Sequence, residues 1–318
     1  MRFIALAAAL LTLGPGLAWA MDGPLRQTAW LANASPMSAF TQAPPECLAE
    51  PGDKDARYRV EVGRAAFRSP LLLGGQAARH QLSCQACHIN GNDNPYFFIA
   101  GLSAAPGTVD VTSSLFSEVR GDGIFNPVPI PSLVGAGDRK SFGHAKAVHS
   151  LPQFVKGVIM DEFASDGPPK AVFDAVIAYV RALKPGACPK SGPVPVTLGT
   201  YVDDVTRAAD ALDEALKRGD GETADFLVLA IQSRLGELDE WYAGARLTEA
   251  SGGLADVSRA LGALRPTVKQ DQKAARGRLK DWRARFESVT GQLKSLESQS
   301  LFNSAVLATA IINASSEQ

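Results

Sequence analysis

The 318-residue sequence is poor in residues that bind metals or form cross-links, with only four cysteines and four histidines. It also lacks an excess of either charge, having 32 lysines and arginines against 33 aspartates and glutamates. A nucleic-acid-binding domain usually carries a clear basic patch or excess, so we expect no nucleic-acid partner. Beyond the N-terminal segment no apolar run approaches the roughly 20 residues that span a bilayer, so we expect no transmembrane span there.

The N-terminal segment has the order of regions found in a secretory signal peptide. Arg2 precedes the apolar run Phe3–Leu13, and Ala18-Trp19-Ala20 supplies small residues at the cleavage positions. The alternative, an uncleaved membrane anchor, needs a longer and uninterrupted apolar run. We therefore expect residues 1–20 to be removed, the mature chain to begin near Met21, and the protein to work in a periplasm-like compartment.

Two of the cysteines stand in the motif Cys84-Gln85-Ala86-Cys87-His88, the Cys-x-x-Cys-His pattern of covalent c-type haem attachment. Two thiols at this spacing can form thioethers to one porphyrin, and the adjacent histidine can ligate its iron. A disulfide oxidoreductase would not need the histidine, and a zinc site would need further ligands. The motif predicts one covalent haem c on Cys84 and Cys87, with His88 as the proximal ligand. The alternative is a structural dithiol beside a chance histidine.

The other two cysteines, Cys47 and Cys188, are isolated in the sequence, and the motif lies between them. In an oxidising compartment we expect them to form a disulfide that closes a loop of about 140 residues. The alternative is a pair of free buried thiols.

The chain divides into two regions of different composition. Residues 21–190 contain every cysteine and histidine, between short helical segments rich in proline and glycine, and residues 191–199 form a Pro/Gly linker. Residues 200–318 carry apolar side chains at three- and four-residue steps, such as Leu279 and Trp282. An antiparallel helical bundle buries such stripes. We expect this bundle to be an interaction or scaffold module, through which an oligomer could form.

Two predicted helices flank the motif. One covers Tyr58–Phe67 and contains Gly63, and the other covers Ala171–Leu183 and contains Tyr179. Because glycine has no side chain to hold two helix backbones apart, it lets an aromatic ring from the other helix approach closely. We expect these helices to cross with Gly63 against Tyr179, as the first and last helices of small c-type cytochromes do.

The motif and its surroundings resemble a known superfamily. The segments Gly63–Leu72, Leu82–His88 and Val128–Leu133 are similar to those of the haem domains of bacterial di-haem cytochrome c peroxidases, to which the methylamine-utilisation haem enzymes are related. Phe142-Gly143-His144 is loosely similar to a Phe-His-x-Gly loop of these domains. Over residues 58–184 the resemblance implies a cytochrome c fold of the peroxidase type, all-α with long loops, followed in this chain by the helical bundle.

The sixth iron ligand separates the functions that this resemblance implies. Met160 follows His88 at a distance at which similar peroxidase domains place a methionine ligand. The alternative ligands are His149 and His144, the site could also be open or filled by water, and Met160 could be a core side chain. A methionine ligand would saturate the iron and suit electron transfer, whereas an open site could bind peroxide.

The superfamily enzymes carry two haem motifs and this sequence carries one, so we expect no relay between two haems within it. This difference favours a periplasmic mono-haem c-type cytochrome that transfers electrons to or from a partner protein. The alternative is a haem enzyme of the peroxidase or oxidase type, with an open or exchangeable sixth site and an external electron donor.

Overall fold

The computed structural model describes residues 36–114, 119–143, 146–163, 165–244 and 247–316. The predicted signal peptide at residues 1–20, the expected new N-terminus at Met21, and His144 lie outside these ranges. The structure is mostly helical, which confirms the all-α class expected from the sequence. None of the helices within the described ranges is long and apolar enough to cross a membrane.

The first region, residues 36–190, is built from short helices joined by long loops. Its helices are α1 (Pro36–Thr41), α2 (Lys54–Arg68), α3 (Gly75–Arg79), α4 (Cys84–Cys87), α5 (Leu151–Gly157), which continues into a π-helical turn (Val158–Glu162), and α6 (Lys170–Ala182). The strands of the described residues have two residues each: β1 (Gln42–Ala43), β2 (Thr108–Val109) and β3 (Val128–Pro129) lie in this region, and β4 (Val194–Pro195) lies just beyond it. Strand β1 pairs with β4 and β2 pairs with β3, both antiparallel.

Helices α2 and α6 cross at the centre of the first region. A Cβ atom built on Gly63 would lie 2.0 Å from the carbonyl oxygen of Ala175 and 2.9 Å from the Cβ of Tyr179. The ring of Tyr179 packs on that of Phe67, with 5.1 Å between the ring centroids. The predicted contact between Gly63 and Tyr179 is therefore confirmed. The close approach explains why α2 has a glycine in its interior, where glycine normally weakens a helix.

The second region consists of longer helices that pack on one another. They are α7 (Leu198–Lys217), α8 (Gly221–Trp241), α9 (Thr248–Gly262), α10 (Arg265–Gln270), α11 (Gln272–Leu296) and α12 (Ser304–Ser316). The apolar stripe of α11 faces inward as its periodicity predicts, because Leu279, Trp282 and Leu293 are all buried. The indole nitrogen of Trp282 donates to the carbonyl oxygen of Val257 on α9 at 2.9 Å, which gives the buried ring its polar partner.

Aspartate side chains cap the N-termini of three helices, one in the first region and two in the second. Asp53, Asp220 and Asp271 precede α2, α8 and α11, and each accepts a hydrogen bond from the backbone N–H three residues further on, at 2.7, 3.0 and 2.9 Å respectively. Such N-caps satisfy backbone donors that have no partner within the first helical turn. The helix boundaries thus follow from local sequence signals.

The junction between the regions is held at two places. Strand β4 lies within the predicted linker, residues 191–199, and pairs with β1 near the beginning of the first region. A disulfide joins Cys47 to Cys188, with 2.12 Å between the sulfur atoms. The linker is therefore attached to the first region before α7 begins.

Helix α2 belongs to the first region but also packs on α7 and α8 of the second. One cluster of buried apolar side chains runs through both regions and includes Val62 of α2 and Val205 of α7. Beside it lie buried charges: Arg64 Nη1 is 2.7 Å from Asp204 Oδ1, and Arg64 Nε is 2.9 Å from Glu46 Oε2. The two regions thus share a core and a buried ionic network.

Candidate functional site

Helix α4 presents the two motif cysteines on one helical turn. Cys84 and Cys87 are three residues apart, which places their side chains on the same face of the turn. Neither forms a disulfide, and both are partly buried. The amide of His88 donates to the carbonyl oxygen of Cys84 at 2.8 Å and closes the turn, so the histidine directly follows the helix.

The environment of the two thiols keeps them protonated. Burial, with a smaller contribution from the Glu162 carboxylate, raises the pKa of Cys84 to about 12. The pKa of Cys87 is raised further, by burial and then by the charges of Cys84 and Glu162. A thiol that attacks disulfides or ligates zinc works as a thiolate, usually with a lowered pKa. This environment therefore argues against a dithiol oxidoreductase.

His88 is oriented by a backbone carbonyl. Its Nδ1 lies 3.0 Å from the carbonyl oxygen of Pro131. Since a carbonyl only accepts hydrogen bonds, Nδ1 carries the proton and Nε2 keeps its lone pair for a metal. Burial lowers the pKa of His88 to about 4, although the Pro131 carbonyl opposes that shift. The ring is therefore neutral at pH 7, in the tautomer that a metal-ligating histidine adopts when its other nitrogen binds a carbonyl.

The two motif cysteines pack against buried apolar clusters. Cys84 packs against both of the large buried clusters in the structure, and Cys87 packs against one of them. Partly buried apolar residues share these clusters with the cysteines: Val111, Leu133, Val148, Phe154, Val155, Phe163 and Phe173. Most of these residues come from loops and from helices α5 and α6. Both thiols therefore have apolar contacts.

The π-helical turn after α5 carries the candidate ligand Met160. Its side chain is 38% exposed, whereas the adjacent Ile159 is 1% exposed. Met160 is therefore not the core side chain that the sequence left open as an alternative. Its sulfur lies 3.8 Å from the position that a Cβ on Gly167 would take. Its assignment as an iron ligand stays a prediction.

His149 and His144 are the alternative candidates for the sixth iron ligand. His149 is exposed, and its Nδ1 lies 3.1 Å from the carbonyl oxygen of Lys140. Its Nε2 thus remains available to bind a metal. His144 lies outside the described residues, and the structure does not bear on it.

An ion pair between a partly exposed arginine and a buried glutamate was not predicted. Arg120 Nη1 lies 2.8 Å from Glu162 Oε2, and Glu162 is buried at the end of the π-helical turn. Burial raises the pKa of Glu162 to about 7, although Arg120 opposes the shift. No local pattern in the sequence marks this pair, because its members are 42 residues apart and meet only in the folded chain.

On another side of α4 a cavity of about 470 Å³ lies between the two regions. Glu46, Arg64, Gln85, Tyr201 and Trp241 are among the residues that line it. Gln85 belongs to the motif, whereas Tyr201 and Trp241 belong to α7 and α8. The motif is therefore close to the second region as well as to its own.

Comparisons with known proteins add nothing to this geometry. No family model matches the chain, and neither the curated proteins nor the solved structures contain a match. Within the described part of the chain, no group of three or more His, Cys, Asp and Glu side chains could hold a metal ion. The function must therefore be argued from the motif and its surroundings.

Proposed function

We propose that the first region is a cytochrome c domain of the peroxidase type, and that it carries one covalent haem c. Cys84 and Cys87 would hold the haem through thioether bonds, and His88 would be its proximal axial ligand. The observation that carries the proposal is the hydrogen bond between His88 Nδ1 and the Pro131 carbonyl oxygen at 3.0 Å. It leaves Nε2 as the ligating atom, directly beside two unpaired thiols.

The residues present fit this cofactor. The two thiols share one helical turn and are protonated, the imidazole is neutral, and both thiols pack against a buried apolar cluster. When bound, haem c supplies an iron that exchanges one electron at a potential set by its axial ligands and surroundings. Cys84 and Cys87 would attach the cofactor, and the Pro131 carbonyl would orient His88 toward its iron.

With one haem motif, the function supported best is electron transfer to or from a partner protein in the periplasm. Met160 would be the sixth ligand, and its exposed side chain is free of the core packing that would prevent this role. The predicted signal peptide supports the compartment, because c-type haem requires export of the chain.

One observation favours the second candidate, a haem enzyme of the peroxidase or oxidase type. The Glu162 carboxylate of the Arg120–Glu162 pair is buried and acts on the thiols, where an electron carrier with a methionine ligand would have little use for it. In that case the sixth site would be open or exchangeable, and an external donor would supply electrons. Met160→Ala separates the candidates: loss of the far-red absorption band of methionine ligation supports the carrier, a spectrum that is high-spin both before and after the change supports the enzyme, and an unchanged low-spin spectrum points to His149 or His144 as the ligand.

The haem assignment is tested by replacing the motif cysteines in protein exported with the haem-attachment machinery. Cys84→Ala together with Cys87→Ala should abolish haem staining on a denaturing gel. The matched control is Cys47→Ala with Cys188→Ala, which removes the same number of cysteines and should leave the staining intact. Covalent haem that persists in the motif double variant, or is missing from the unaltered chain, would contradict the proposal.

A further inference from the structure

The turn that follows His88 has an unusual backbone conformation. Residues Ile89–Gly91 form a short 3-10 turn in which Asn90 has φ 52° and ψ 31°, in the left-handed region. Few residues other than glycine adopt this region, and asparagine is among the most tolerant of them. Gly91 follows with φ 78°. The backbone next to the predicted haem ligand is thus held in a conformation that most residues avoid.

The side chain of Asn90 connects this turn to three other parts of the molecule. Its Oδ1 accepts from Arg68 Nη2 at 3.0 Å and from Gln85 Nε2 at 3.2 Å. Its Nδ2 donates to the carbonyl oxygen of Pro44 at 2.9 Å, and its backbone N–H donates to Gln85 Oε1 at 3.0 Å. Because Gln85 stands between the two motif cysteines, its pairing with Asn90 ties the turn back to α4.

The same turn is linked to the segment that orients the His88 ring. The carbonyl oxygen of Gly91 accepts from the amide of Leu133 at 2.8 Å, and His88 Nδ1 binds the carbonyl oxygen of Pro131. Pro131 and Leu133 belong to one segment. Through these two bonds, that segment is attached to His88 before the turn and to Gly91 at its end. A change of backbone conformation at Asn90 would therefore move the His88 ring relative to its acceptor.

Arg68 is in turn held by the second region. It is buried at the C-terminal end of α2, and its Nη2 lies 3.0 Å from Glu46 Oε1. Its Nε lies 3.6 Å from Asp204 Oδ2 on α7, and Arg234 of α8 binds the same oxygen at 2.6 Å. A continuous set of polar contacts thus runs from α8 through α7 and α2 to the turn after His88.

From these contacts we propose that Asn90 is a positioning residue for the iron ligand His88, and that Arg68 fixes Asn90 with support from Asp204 of the second region. The inference rests on the proposed haem function. It gives the helical bundle a part in shaping the haem site, in addition to any contact with partners.

The test compares neutral substitutions, so that no charge near the iron is altered. Asn90→Ala removes the side-chain bonds and the tolerance for positive φ, whereas Asn90→Gly removes the side-chain bonds alone. The matched control is Asn126→Ala, because Asn126 is exposed and, among the described residues, its side chain bonds only to Thr112 at 3.0 Å and Asp122 at 3.2 Å, away from the turn. Covalent haem per chain, the absorption spectrum and the midpoint potential are measured for each.

Both Asn90 variants should carry less haem per chain than the unaltered protein, and the haem that attaches should show a changed spectrum and a shifted potential. Asn126→Ala should match the unaltered protein in all three. Should Asn90→Ala not fold by far-UV circular dichroism, Gln85→Leu removes the same pairing from the other side and should give the same changes.

Two results would overturn the inference while leaving the haem assignment standing. One is an Asn90→Gly protein that matches the unaltered chain, because then the backbone conformation alone would matter. The other is a set of Asn90 and Gln85 variants that cannot be distinguished from Asn126→Ala. An unaltered chain without covalent haem would instead overturn the proposed function, and the inference with it.

Discussion

The two regions of the molecule obtain their shapes in different ways. In the second region the long helices α7, α8 and α11 bury apolar stripes, and many side chains contribute to one core. In the first region single residues decide the backbone: Gly63 lets two helices touch, and Asn90 holds a left-handed turn. A repeated pattern tolerates local change, whereas a single contact does not. We therefore expect the first region to be more sensitive to substitution of these single residues than the second region is to substitution within its stripes.

The largest effect is expected where the regions meet. Asp204 lies buried among Arg64, Arg68 and Arg234, and Asp204→Ala would leave these charges without their shared partner. Breaking a buried ion pair typically costs about 3–5 kcal/mol. Asp210→Ala on the same helix breaks an exposed pair with Arg283 and should cost about 0–1 kcal/mol. Urea unfolding of both variants makes the comparison, and equal midpoints would contradict a stabilising role for the buried network.

Low pH should also weaken the buried ionic network where the two regions meet. Burial works to raise the pKa of Glu46, but Arg68 and Arg64 outweigh it and lower the pKa from an ordinary 4.5 to about 2. Ionised Glu46 therefore stabilises the fold fully above pH 4.5, and this contribution is lost as the pH falls through about 2. The unfolding free energy, measured from pH 6 to pH 2, should fall less steeply in Glu46→Gln than in the unaltered chain. Parallel curves would show that Glu46 is not the group responsible.

The disulfide offers a way to loosen the first region by changing two residues, of which Cys47 is buried. Replacing Cys47 and Cys188 by serine should lower the unfolding free energy by about 2–5 kcal/mol, because the bond closes a long loop in the unfolded chain. Mass spectrometry of the unreduced protein checks the bond itself. Two thiols at these positions that alkylate in the native chain would rule the bond out.

The two regions are compared most simply by replacing one helix glycine in each of them with alanine. Gly63→Ala places a methyl group against the Ala175 carbonyl and should destabilise the fold by about 1–3 kcal/mol or more. Gly277 lies within α11 and has nothing within 4 Å of an added Cβ, so Gly277→Ala should stabilise by about 0.5–1 kcal/mol. Thermal melting of both variants tests the opposite signs. A shift of the same sign in both would remove the contrast between the regions.

Sequence reasoning succeeded where a local pattern carries the information. The α11 stripe with Leu279 and Trp282 is buried, and the crossing of Gly63 with Tyr179 is present. The predicted partners Cys47 and Cys188 are joined in the structure. The spacing of residue types limited the possible helix contacts, and the small number of cysteines limited the possible disulfide partners.

Sequence reasoning failed where a contact joins residues that are distant in the sequence. Nothing near Pro131 indicates that its carbonyl binds His88, although the segment had been singled out by resemblance. Arg120 and Glu162 meet across 42 residues, and Asp204 reaches α2 from the second region. A composition break suggested a linker between two modules, but charged side chains that look solvated in the sequence form a buried interface. Such pairs depend on tertiary packing, which periodicity and propensity do not report.

The central claim is that Cys84 and Cys87 carry one haem, and mass spectrometry of the exported protein tests it most directly. Trypsin should release the motif within a single peptide, His80–Arg120, because no lysine or arginine lies between its ends. The account predicts that this peptide is heavier by the mass of one haem and that neither of its cysteines alkylates. An unmodified His80–Arg120 peptide with two free thiols, from cells that attach haem to other c-type cytochromes, would contradict it.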